Sequence, residues 1–144
     1  IMRHSFQTLI AALLLIGGSQ SACAQMFSTM GESQRNAQLT QIALNVYKHK
    51  MFSKYYANYG YCGKSEITTF NRGINTNDKK DVERSSHLGL LQYKVTLYCK
   101  PRTNHGSFPI ARVYVSVKSG KAWFIRFGND NMAFPSWNYP DAFK

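Results

Sequence analysis

Residues 111–127 read Ala111-Arg112-Val113-Tyr114-Val115-Ser116-Val117-Lys118-Ser119-Gly120-Lys121-Ala122-Trp123-Phe124-Ile125-Arg126-Phe127. Ala111, Val113, Val115 and Val117 alternate with Arg112, Tyr114, Ser116 and Lys118. Past Ser119-Gly120, Trp123, Ile125 and Phe127 alternate with Phe124 and Arg126. Alternation with period two marks strands with one buried face, so the stretch predicts a hairpin. Burial selects its register. A strict two-residue turn pairs Val113 with Arg126 and puts a guanidinium among the valines. One extra residue in the turn, with Gly120 in the bulge position, places Val113 and Val115 on the face of Trp123, Ile125 and Phe127. A one-residue slip exchanges the faces, so the second register is expected. Gly120 is the residue able to take the positive φ required.

Upstream, Leu91, Tyr93, Val95, Leu97 and Cys99 alternate with Gln92, Lys94, Thr96, Tyr98 and Lys100, a second half-buried strand. Residues 67–74 read as a further strand of weaker pattern, followed by a charged turn over 75–81. Before them, Leu39, Ile42, Ala43, Val46 and Met51 recur at three-, four- and five-residue spacings, with Arg35, Gln38, Gln41, Asn45, Lys48 and His49 mostly between them. That spacing predicts an amphipathic helix, capped by Ser33, able to run on through Phe52 and Tyr55, and ended by Gly60 and Gly63. The tail from Asn129 carries Phe134, Trp137, Tyr139 and Phe143 with Pro135 and Pro140, an irregular but aromatic segment expected to pack across an edge of the domain. One N-terminal helix packed on an antiparallel sheet of about four strands is an α+β fold. In element order alone it resembles the cystatin-like and NTF2-like arrangements. Such folds host enzymes, inhibitors and assembly subunits alike, so the fold does not select a function.

The beginning of the chain has a different character. Met2-Arg3-His4, an apolar run rich in Leu and Ala, and Gly17-Gly18-Ser19 follow the layout of a secretory signal. The run is shorter than the roughly 20 residues a membrane span needs. Ala22-Cys23-Ala24 offers small residues for cleavage after Ala24, leaving residues 25–144 as a single domain in the periplasm or outside the cell. A second reading has Cys23 acylated as a lipoprotein anchor, with Gln20 where such motifs usually carry Leu. Either way Cys62 and Cys99 remain, an even number in an oxidising compartment. A disulfide between them is expected, restricting the unfolded chain by about 3–4 kcal/mol.

Without Arg3 the mature chain sets 17 Lys and Arg against 7 Asp and Glu, a net charge of +10. Such a balance favours acidic partners: lipid A phosphates, nucleic acid, an anionic membrane surface or an acidic protein. His49, His87 and His105 are far apart in sequence and show no metal-ligand spacing. No nucleophile stands beside an activating base, and Asp78 and Asp81 sit in a lysine-rich turn where salt-pairing is their expected role. No cofactor is implied, and the chain reads as non-catalytic. If it were an enzyme, its pocket would lie between helix and sheet, lined by Tyr93, Trp123 and helix residues.

The sheet face turned away from the helix carries more chemistry. It is expected to present Lys94, Tyr98 and Lys100 on one strand, Arg112, Tyr114 and Lys118 on the next, and Phe124 and Arg126 on the third, with Trp137 in the tail. Exposed aromatics and arginines are common interface anchors, which predicts an adaptor or inhibitor-like subunit engaging an envelope protein. Cations interleaved with rings also suit a polyanion such as lipid A phosphate, nucleic acid or glycan. Against both stands a plainer account: rings are favoured in strands, and exposed lysine deters edge-to-edge aggregation.

Overall fold

A computed structural model describes residues 27–128 and 132–144. The segment expected to be an export signal, and Cys23 as the alternative expected anchor, fall outside these residues. The chain forms α1 (Glu32–Tyr47), a 3-10 turn (Lys50–Phe52), α2 (Ser53–Tyr59), β1 (Ser65–Asn71), α3 (Lys79–Leu88), β2 (Leu91–Tyr98), β3 (Pro109–Ser116), β4 (Ala122–Phe127), β5 (Met132–Pro135) and a closing 3-10 turn (Pro140–Phe143). The five strands pair antiparallel in the order β1-β2-β3-β4-β5, each with its sequence neighbour. The expectation of about four strands is corrected to five: part of the tail read as irregular pairs with β4 through Phe124↔Pro135 to Phe127↔Met132.

Away from the turn the hairpin register is the one burial selects, but the expected bulge at Gly120 is corrected: the ladder shifts between Tyr114 and Val115, and residues 117–120 form the turn between Ser116 and Lys121. Val113 lies opposite Ile125, Tyr114 opposite Phe124 and Ala111 opposite Phe127, with Gly120 at φ 70° in the turn. Val113, Val115 and Ile125 are fully buried. α1 lies across β2, β3 and β4. Leu39, Ala43, Val46 and Tyr47 meet Val95, Leu97, Cys99, Val113 and Ile125 in one core. Each fully buried aliphatic side chain there contributes about 1.5–3 kcal/mol of transfer free energy. Tyr55 of α2 stacks on Phe127 at 4.0 Å, closing one end of this layer.

Several expectations are corrected. α1 begins after Gly31, which caps it without a side-chain bond, so Ser33 lies inside the helix. The helix stops at Tyr47, where His49 accepts the Met51 N–H through Nδ1 and starts the 3-10 turn. That change of pitch rotates Phe52 into the core and leaves Met51 exposed, against its place in the predicted stripe. β1 starts two residues earlier and ends three earlier than predicted. The charged turn over 75–81 leads into α3 instead. Asp78 caps that helix by accepting the Lys80 N–H at 2.9 Å, Asp81 sits in its first turn, and Gly89 at φ 66° ends it.

The predicted Cys62–Cys99 disulfide is not formed, and both residues are free thiols. Their backbones are near neighbours, with the Cys62 N–H donating to the Tyr98 carbonyl at 3.0 Å. Cys99, however, is wholly enclosed in the core, while Cys62 is half-exposed and lies outside it. Bridging requires the two Cβ vectors to converge as well as the chains to be close.

Candidate binding face

Trp123 departs from the predicted alternation and shapes the site. The β3–β4 ladder shifts between Tyr114 and Val115, so Val115 faces Ala122 and Trp123 becomes the extra residue of a bulge. Its ring crosses to the side of the sheet away from α1. There it donates from Nε1 to Gln92 Oε1 at 2.7 Å and contacts the rings of Tyr114 and Phe124. The expectation that Trp123 shares the inner layer with Ile125 and Phe127 is therefore corrected. The pocket expected between helix and sheet is also not built from the residues named for it. Tyr93 is covered edge-on by Phe27, and Trp123 is on the opposite face.

On the outer face, cross-strand partners set the neighbours. Lys94 lies opposite Tyr114, Thr96 opposite Arg112, and Arg112 opposite Arg126. Tyr114 and Phe124 stack with centroids 5.2 Å apart and planes 9° from parallel, and Phe70 of β1 meets Tyr114 edge-on at 5.2 Å. Trp137 stacks on Trp123 at 5.8 Å, flanked by the Arg84 guanidinium at 4.0 Å, while Arg72 lies 5.3 Å from the Trp123 ring. The two stacked tryptophans are thus flanked by one arginine at each end, Arg72 on Trp123 and Arg84 on Trp137, cation–π contacts worth about 0.5–1 kcal/mol each where exposed.

α3 roofs one end of this face through polar contacts. Arg72 pairs with Asp81 and donates to Ser85 Oγ at 3.2 Å. Gln92 Nε2 donates to the carbonyls of Leu88 and Gly89 at 3.1 and 3.0 Å, and Ser116 Oγ donates to Leu88 O at 2.6 Å. Lys118 donates to Ser86 O beside Gly89. Lys118 is thus committed to the roof, and Lys100 packs its stem on Gly60 beyond the end of β2. Of the nine residues predicted for the surface, Lys94, Tyr98, Arg112, Tyr114, Phe124 and Arg126 share the open part of the face, all half-exposed. Trp137 borders the roofed end, more than a third exposed. Phe70, Arg72, Arg84 and Gln92 were missed by sequence reasoning. Phe70 and Arg72 had a usable signal, since they continue the outward parity of β1.

The groups with shifted acidity have structural partners. Asp81 is held below the usual carboxylate range by the Asn75 N–H and then by Arg72, and Asp141 by Lys144. Tyr98 donates its hydroxyl to Glu66, which raises its pKa, and Lys64 lies 4.3 Å from the Tyr98 ring. Burial pushes the Tyr47 phenol upward, and that hydroxyl donates to Gly60 O at 2.8 Å. Among the described residues, no group of three His, Cys, Asp or Glu converges as a metal site would. No family model, curated protein or solved structure matches the chain.

Proposed function

We propose that this chain is an exported, non-catalytic binding protein of the bacterial envelope, periplasmic or secreted, that docks a protein partner on the open outer face of β2, β3 and β4. Lipid anchoring through Cys23 is the variant form of the same proposal. The carrying observation is the composition of that face: Lys94, Arg112 and Arg126 half-exposed beside the stacked Tyr114 and Phe124, over a sealed apolar layer. Rings fixed by their neighbours lose little side-chain entropy on docking, which is what makes aromatics and arginine effective anchors. The order of helix and meander supports a cystatin-like arrangement as part of the proposal, on element order alone.

A polyanion partner is the second reading, favoured by the surplus of cations on the face. Retention of envelope proteins on the immobilised mature domain separates the two. Capture that persists from low to moderate salt but is lost in Tyr114→Ala and Phe124→Ala supports the protein interface. Capture that collapses with salt and ignores both substitutions refutes it in favour of a polyanion.

A further inference from the structure

We infer that Arg112 and Arg126 together form a seat for a carboxylate on an acidic segment of the partner protein, an inference that rests on the outer face being the docking surface. The two residues are direct cross-strand partners. Such partners hold their Cβ atoms about 4.5–5.5 Å apart, and like charges placed so are destabilising. Neither guanidinium is in an ion pair with a carboxylate among the described residues. Glu66, also on the outer face, is engaged by Lys64 and by the Tyr98 hydroxyl.

The arginines are also incompletely satisfied. Arg112 spends one terminal N–H on the Gly128 carbonyl at 3.3 Å. Arg126 lies 5.7 Å over the Phe124 ring, and its Nε is enclosed without a hydrogen-bond partner among the described residues. A guanidinium carries five donors in a fixed fork that fits a carboxylate. One carboxylate held between the pair would offset the repulsion and accept from their terminal N–H groups, while the enclosed Arg126 Nε stays out of its reach.

The surroundings favour a protein carboxylate over a nucleic acid or polyphosphate. The cationic spot is compact, with Lys94 the remaining cation on the central strands, and Glu66 on the outer face of β1 would repel a continuing line of phosphates. The Tyr114 and Phe124 rings stack on each other, and Phe70 and Trp123 pack against Tyr114, so their faces are not free for bases. Beside the arginines they offer an apolar strip, which suits an extended segment alternating acidic and apolar side chains.

The test uses the mature chain and an acetylated peptide of alternating Glu and Leu, followed through the arginine Nε–Hε NMR signals. The Glu peptide should shift the Arg112 and Arg126 signals saturably. Arg112→Gln or Arg126→Gln should each weaken binding about tenfold or more, the usual scale for losing a charged hydrogen bond. The double variant should be little weaker than either single one, because both arginines hold the same group. In the free protein, each single variant should melt at a higher temperature than the parent, since one of two opposed charges is gone. Equal binding of the same peptide with Gln in place of Glu, displacement of the peptide by a single-stranded oligonucleotide, or a lower melting temperature in Arg126→Gln would each overturn the seat. If the arginine variants bind unchanged while Tyr114→Ala and Phe124→Ala abolish partner capture, the seat falls and the docking face stands. If neither set matters, both fall.

Discussion

Gln92 is the polar residue on which the roofed end of the outer face depends, and replacing it tests that account directly. Its side chain is fully buried, donating to the carbonyls of Leu88 and Gly89 and accepting from Trp123 Nε1. Gln92→Leu keeps a side chain of similar size but removes all three bonds. Leu88 O retains the Ser116 hydroxyl at 2.6 Å, so the Gly89 carbonyl and the Trp123 indole N–H are the two groups left without these partners. A buried polar group left unpaired costs about 1–2 kcal/mol, which puts the loss at roughly 2–4 kcal/mol. For a chain of this size each kcal/mol moves the melting temperature by about 4 °C, so Gln92→Leu should melt roughly 8–16 °C lower. Urea unfolding followed by tryptophan fluorescence reports the stability and the stacked Trp123–Trp137 pair together. A loss below about 1 kcal/mol would show that water or a shifted α3 satisfies these groups, and the account of the roof would fail.

Other outcomes follow from the same geometry. Gly120→Ala forces a side chain onto a residue at φ 70°, and should lower stability by about 1 kcal/mol in urea denaturation. Asp81 has its carboxyl depressed below the usual range by the Asn75 N–H and Arg72. It therefore adds stability at pH values above the unfolded carboxyl's pKa, and that stability disappears as pH falls through the folded value. Thermal melts across acid pH should show Asp81→Asn less stable than the parent near neutrality and equal to it in strong acid. A thiol reagent should label Cys62 in the native protein and Cys99 only after unfolding, because Cys99 is wholly enclosed, and mass spectrometry after trypsin locates the adduct.

Much of the sheet was legible because parity is a local property. Val113, Val115 and Ile125 declare their face within two residues, and a glycine able to take positive φ fixes how the hairpin turns. The six outward residues of the open face follow from the same rule. Parity fails where the count of residues changes. Nothing in Ala122-Trp123-Phe124 reveals that the bulge falls beside Trp123 rather than at Gly120, since both placements keep Ile125 and Phe127 buried. A single inserted residue therefore carries an indole from one layer to the other. Helix ends were hard for a related reason. The apolar spacing from Leu39 to Met51 accommodates one continuous helix, and only the His49 ring capping the Met51 N–H tells the chain to change pitch.

α3 escaped the sequence pattern because it has no apolar stripe to detect. None of its residues is buried, and Val82 is nearly half exposed. Its signals are instead its ends, Asp78 as cap and Gly89 as terminator, which bracket the segment that charge alone presents as a turn. A helix attached this way is held mainly by hydrogen bonds and one ion pair, each worth about 1 kcal/mol net, whereas the sheet below is held by a continuous core. It should consequently open at a lower free energy than the strands do. Opening would unroof Gln92 and the Trp123–Trp137 stack while leaving the Arg112–Arg126 end of the face unchanged. The outer surface is thus divided into a fixed half, built on cross-strand pairs, and a coverable half whose exposure depends on the polar anchors Arg72, Gln92, Ser116 and Lys118.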